Sequence, residues 1–284
     1  MNIIKNLIFK IQYIIRKSKL EKIKAEYPTV MSTTDTLNKI LKGNSIARFG
    51  DGELQIIIGK SLGKRGAKNE YQVYDKNLAK KLREIIKTPT ENCIVAIDRY
   101  SDEHNDKKDY KYGLSYFENF WYRNWNKLKN LYKYDYDYGC TATSRVSVFK
   151  ENSLNDIKKI WENKKVLFVV GEKSRFVMEP RLFQNIKEAD MLVTKGKSSF
   201  EQYDNIIKQI KLYSKDWLIF LSLGPTATVL AYELSKEGYQ ALDLGHLPNC
   251  YLQSINERKN PEAEVTNNNF FDKEIGLYKN IQNF

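Results

Sequence analysis

The sequence predicts an α/β fold, a doubly wound and mostly parallel sheet. Segments 93–97 (CIVAI), 165–170 (KVLFVV) and 217–223 (WLIFLSL) are continuous apolar runs of strand length, as strands covered on both faces require. Between them lie segments with the three- and four-residue apolar spacing of helices. Strands that alternate with helices in this way assemble parallel sheets. Composition agrees: 284 residues, 42% hydrophobic and 29% charged, suit one large α/β domain or two small ones.

Residues 1–30 read as a basic amphipathic helix. Ile3, Ile4, Leu7, Ile8, Ile11, Ile14 and Ile15 recur at helical intervals and form one apolar stripe. Lys5, Lys10, Arg16, Lys17 and Lys19 interrupt any long apolar run, so the helix is too polar and too short to span a bilayer. It has no small-residue cleavage site and does not read as a signal peptide. Two roles stay open. One is peripheral contact with an anionic membrane. The other is packing on the domain or on a second subunit of a homo-oligomer.

Residues 31–250 read as the main domain. A helix over 31–42 has Ser32, Thr33 or Thr34 as its cap and Gly43 as its stop. A strand over 45–49 runs into Gly50-Asp51-Gly52-Glu53. An extended backbone there puts Asp51 and Glu53 on one side, since alternate residues share a face. Two carboxylates beside glycines suit Mg²⁺ or Mn²⁺ bound together with a substrate phosphate; the alternative is a solvated Asp-Gly turn. The Gly- and Lys-rich run 59–68 is a loop, either solvated or a lid over a phosphate-bearing ligand. A helix over 76–87 ends before Pro89, and Asp98-Arg99-Tyr100 follows the strand 93–97, where open α/β sheets bind ligands. The aromatic-rich stretch 112–138 contains a helix with a buried ring face; a sugar-stacking or membrane-facing surface is the alternative.

A helix over 154–162 precedes the strand 165–170, which leads into Gly171-Glu172-Lys173-Ser174-Arg175. Ser174 and Arg175 at a helix start would hold an anion, although the spacing is not that of a P-loop. A strand over 191–193, a helix over 202–212 and the strand 217–223 come next. Then comes Gly224-Pro225-Thr226: Pro225 suits the first turn of a helix, and Thr226 can cap it or donate to an anion. That helix ends before Gly238, and a strand over 241–244 carries Asp243 ahead of Gly245 and His246. Residues 251–284, polar and Asn-rich, read as a C-terminal extension.

The net charge of +12 favours anionic partners, but the lysines are spread along the chain, so a nucleic-acid partner is not expected. Three cysteines without a Cys-x-x-Cys fit reduced thiols in the cytoplasm. Two histidines do not make a zinc site.

Three stretches together resemble one family: Arg48-Phe49-Gly50-Asp51-Gly52-Glu53, the segment 169–175, and the segment 223–246 with its Gly-Pro-Thr start and Gly-Tyr-Gln-Ala-x-Asp-x-Gly-His close. They are similar to the bacterial GT-D-type glycosyltransferases, whose mark is an Asp-x-Glu metal motif on a Rossmann-like domain. The resemblance implies transfer of a sugar from a UDP-sugar, UDP-glucose first, to a glycan or glycoprotein acceptor. It implies Mn²⁺ or Mg²⁺ on Asp51 and Glu53. His246 matches the family's closing histidine, implying a third ligand or a diphosphate contact; a structural imidazole is the alternative. On this reading Arg48, Gly50, Ser174, Arg175, Gly224, Pro225 and Thr226 line the donor site. Asp243 holds donor hydroxyls or serves as base. Glu179-Pro180-Arg181-Leu182-Phe183 and Leu247-Pro248-Asn249-Cys250-Tyr251 depart from the family pattern, which implies a different acceptor or sugar. The expected location is the cytoplasm, peripheral at the inner face of the membrane. The competing readings are a metal-dependent phosphatase or nucleotidyltransferase, and a non-catalytic nucleic-acid binder.

Overall fold

A computed structural model of the chain describes residues 2–63, 71–100, 108–109, 114–172, 174, 176–258 and 278–283. The helices are α1 (Asn2–Glu26), α2 (Thr33–Leu41), α3 (Asp51–Ile57), α4 (Lys76–Lys87), α5 (Tyr116–Leu128), α6 (Val148–Glu151), α7 (Leu154–Lys158), α8 (Pro180–Phe183), α9 (Tyr203–Ile210), α10 (Pro225–Lys236) and α11 (Leu247–Ser254). The strands are β1 (Ser45–Phe49), β2 (Cys93–Ile97), β3 (Lys108–Asp109), β4 (Leu114–Ser115), β5 (Gly139–Cys140), β6 (Lys165–Gly171), β7 (Glu188–Thr194), β8 (Trp217–Ser222), β9 (Ala241–Asp243) and β10 (Tyr278–Asn283).

One sheet holds eight strands in the order β10-β7-β6-β8-β9-β1-β2-β5, all paired in parallel. β3 and β4 form a separate antiparallel pair. Side chains alternate between the faces of the large sheet. Ala47, Phe49, Val95, Ile97, Val169 and Leu221 join the core under α4, α9 and α10. Ile46, Ile94, Phe168, Val170, Phe220 and Leu242 join the opposite core under α2, α8 and α11. Both faces are covered, so the strands are apolar throughout, and each fully buried aliphatic or aromatic side chain contributes about 1.5–3 kcal/mol. The aromatic stretch is mainly core: Trp121 and Trp125 of α5 pack on Tyr27 at the end of α1.

β9 and β1 are neighbours although nearly two hundred residues separate them, and β2 lies on the other side of β1. Ligands of open α/β sheets collect outside the carboxyl ends at such a reversal of strand order. The elements that reach this edge are the starts of α3, α10 and α11 and the short 3-10 turn Thr141–Ser144.

Four expectations change. Asp51-Gly52-Glu53 is not extended but opens α3, with Gly50 as N-cap and its N–H donating to Glu53 Oε2 at 2.9 Å. Residues two apart on a helix diverge, so the pair does not share a face as a strand would allow. No helix starts at Ser174; the next one is α8, whose first residue is Pro180 and whose cap is Glu179, accepting from the Arg181 N–H. Proline fixes that start, because it can occupy only the first turn. The helix over 154–162 ends at Lys158. A helix not expected after His246, α11, has Pro248 in its first turn, and within the C-terminal extension β10 adds a parallel strand beside β7. Among the described residues no helix is long and apolar enough to cross a membrane.

Candidate functional site

Arg48, the fourth residue of β1, builds the centre of the site. Its Nη2 donates to Asp243 Oδ1 at 2.9 Å, its Nε donates to the Asp243 carbonyl, and its Nη1 donates to Ser144 Oγ. The Arg48 N–H also reaches Asp243 Oδ2, at 3.3 Å. Both side chains are buried. Thr228 of α10 closes the cluster, with Oγ1 2.9 Å from the Arg48 carbonyl oxygen and 3.2 Å from Asp243 Oδ2. Strands β1 and β9, helix α10 and the turn at Ser144 are thus tied at one point. A buried pair held in this way positions what surrounds it; it is costly to break and supplies little free charge to a ligand.

Asp51 stands at the first position of α3. Its Oδ2 accepts from Gln55 Nε2 at 2.9 Å and from the Tyr116 hydroxyl at 2.8 Å. Burial and the Asp51 carboxylate push the Tyr116 phenol well above its usual range, which keeps it a hydrogen-bond donor. Glu53 is half-buried and turned back toward Gly50. Burial pushes its carboxyl up to about 8, and Asp243 adds to this even against the nearby Arg48. Burial is the larger cause and the Asp243 carboxylate the smaller, and a cation bound beside Glu53 would relieve both.

Asp98 extends the acidic group at the end of β2. Its Oδ1 accepts from the Thr141 hydroxyl. Burial pushes its carboxyl up to about 6, with Asp51 adding to it, against the Thr141 hydroxyl and Arg145. The folded chain therefore holds a proton that the unfolded chain has released between pH 3.8, the ordinary value, and about 6. The cost of the charged form is absent below that window and full above it, so folding stability falls as pH rises through it. Urea melts at several pH values are expected to show this slope, and Asp98→Asn is expected to flatten it.

At the start of α10 the backbone is tightly constrained. Gly224 has φ +55 and ψ −138, a region that side-chain-bearing residues rarely enter, and a Cβ there would meet the Tyr71 ring at 2.7 Å. Thr226 is fully buried, and its Oγ1 has no hydrogen-bond partner. Pro225 has no N–H and the Ala227 N–H donates to the Gly224 carbonyl at 2.8 Å, so Thr226 supplies the donors at this helix start that an anion could meet. Gly245 approaches β8 so closely that a Cβ would sit 2.9 Å from the Ser222 Cα.

The structure brings Arg48, Gly50, Asp51, Glu53 and Asp243 together at the ends of β1 and β9 and ties them to α10 through Thr228. His246 follows β9 at the start of α11, on the same edge. Ser174 lies after β6, with Oγ accepting from the Phe176 N–H at 3.3 Å, in a local turn rather than a helix start. Arg175 and part of the 59–68 loop lie outside the described residues. No three His, Cys, Asp or Glu residues among those described converge as a ready-made metal cluster, so His246 is not assembled with Asp51 and Glu53. Sequence reasoning passed over Ser144, Thr141, Tyr116 and Thr228 as site residues. The one usable signal was the placement of Asp98 after an apolar strand.

A family model described as glycosyltransferase GT-D fold matches residues 46–268. The chain is 31% identical over 253 residues to Glycosyltransferase GlyD of Streptococcus pneumoniae serotype 4. It is 28% identical over 240 residues to Probable glycosyl transferase Gly of Streptococcus gordonii. These matches cover 85% and 78% of this chain but 29% and 32% of the relatives, so the chain spans less than a third of their length. A solved structure described as a domain of unknown function 1792 with a distinct glycosyltransferase fold aligns with TM-score 0.77 at 24% identity, over 94% of this chain and 99% of that one. A second, described as a new glycosyltransferase from Streptococcus sanguinis, aligns with TM-score 0.69 at 26% identity, over 87% and 93%.

Proposed function

This chain belongs to the glycosyltransferase GT-D family, and from that premise we propose that it moves a sugar from a nucleotide sugar, UDP-glucose first, to a glycan or glycoprotein acceptor with the help of a divalent cation. The observation that carries the proposal is the junction at Thr228. Through its contacts with Arg48 and Asp243 the acidic start of α3 and the Gly-Pro-Thr start of α10 share one edge of the sheet. A donor diphosphate lying there would meet acid-held cation on one side and helix amides on the other.

By chemistry the donors suit Mn²⁺ or Mg²⁺, and both carboxylates would reach one ion if Glu53 swings from the Gly50 amide toward Asp51. Asp51 and Glu53 are hard oxygen donors of the kind these ions take, and a cation beside Glu53 would offset the burial and the Asp243 charge that raise its carboxyl. The substrate phosphate completes such a two-carboxylate site. Bound there, a divalent cation neutralises the charge of a departing nucleotide diphosphate. Asp51 presents its carboxylate, aligned by Tyr116 and Gln55. Thr226 would offer its N–H and hydroxyl to phosphate oxygens at the start of α10. Arg48 and Asp243 hold the two halves of the site in register. That assigns Asp243 to positioning rather than to a free base, since Arg48 and Thr228 occupy its oxygens.

The test is nucleotide release from UDP-, GDP- and CMP-sugars, with Mn²⁺ or with EDTA. The expected result is UDP release that EDTA abolishes and added Mn²⁺ restores. Release of inorganic phosphate or pyrophosphate instead would favour the phosphatase or nucleotidyltransferase reading.

A further inference from the structure

The amino-terminal helix has two faces with different occupants. Leu20 and Ile23 are buried against the domain, and Lys17 and Lys19 bind α5 through Glu118 and the Tyr122 carbonyl. Earlier in the same helix, Leu7, Ile8, Ile11, Ile14 and Ile15 are 57%, 48%, 49%, 65% and 59% exposed. At about 100° per residue these five fall within an arc of roughly 120°, centred roughly 150° round the helix from Leu20 and Ile23. The apolar stripe therefore points away from the protein body. Isolated exposed apolar residues need no explanation, but five on one arc do.

Charge decides the occupant. Residues 7–20 contain Lys10, Arg16, Lys17 and Lys19 and no Asp or Glu. Two copies meeting side by side through this stripe would bring like charges together at its rim. An anionic lipid surface accepts both the apolar stripe and the basic flanks. The geometry points to α1 as a peripheral membrane anchor. Its isoleucine stripe lies in the interface with Lys10 beside it toward anionic headgroups, and its second half, with Lys17 and Lys19 bound to α5, fastens the domain beside the surface. The helix lies on the bilayer and does not cross it, in keeping with the interrupted apolar run.

The proposal stands on α1 alone and does not depend on the sugar-transfer reading. The test is flotation of the full chain with vesicles of phosphatidylcholine, with and without phosphatidylglycerol. The wild type is expected to float with the anionic vesicles, less so as salt rises. Ile11→Glu combined with Ile14→Glu is expected to weaken this on the order of tenfold or more, with an unchanged melting temperature. Leu212→Glu, at an exposed apolar side chain outside α1, is expected to leave it intact. Failure of the wild type to float overturns the proposal, as does binding that the double variant retains. So does a solution dimer, seen by sedimentation velocity, that the double variant splits while the wild type ignores lipid.

Discussion

Arg48→Met is expected to lower the unfolding free energy by about 3–5 kcal/mol, because it leaves a buried carboxylate without its cation. Asp243 would keep only the Thr228 hydroxyl and the Arg48 amide. Urea denaturation measures the loss. Arg48→Met combined with Asp243→Leu is expected to recover much of it, since replacing both members of a buried ion pair is often neutral, whereas removing one is not. The double variant should nevertheless lack full activity, because the register between β1, β9 and α10 depends on the same contacts. A single variant as stable as the wild type would mean that the pair does not hold the site.

Glu53→Gln and Asp51→Asn are expected to act in the opposite sense, on activity and not on stability. Glu53 carries a proton below about pH 8, so a neutral amide is close to its resting state and can still accept from the Gly50 amide. Cation-based charge stabilisation contributes several kcal/mol, and each 1.36 kcal/mol is tenfold in rate, so sugar transfer should fall by roughly 10²–10³-fold. The unfolding free energy should stay within about 0.5 kcal/mol for Asp51→Asn, an ordinary value for a site at the surface. Initial rates of UDP release together with melting curves separate the two effects. Equal losses in both would reduce these acids to a structural role.

The strands were legible because burial on both faces leaves a one-letter signature: CIVAI and KVLFVV admit little else. Capping chemistry made α2 legible, as Ser32 accepts from an amide of its first turn, and apolar spacing with Pro89 beyond its end made α4 legible. The start of α3 was ambiguous, because Asp-Gly serves a turn as readily as a helix start. Its deciding feature was Glu53 at the third position, able to reach back to Gly50. No helix was read after His246, and Pro248 lies in the first turn of α11, a position proline favours. The Arg48–Asp243 pair was not legible at all, because its partners lie far apart along the chain and meet only once β9 docks beside β1. The acidic motif was visible, but the orientation of its two carboxylates was not, since it follows from the helix.

Anomalous diffraction at the manganese edge, from crystals grown with Mn²⁺ and UDP, tests the central claim most directly. The account predicts a single strong peak beside the carboxylates of Asp51 and Glu53, with the nucleotide diphosphate lying between that peak and the start of α10. A nucleotide bound with no peak there, or a peak elsewhere on the chain, would contradict it.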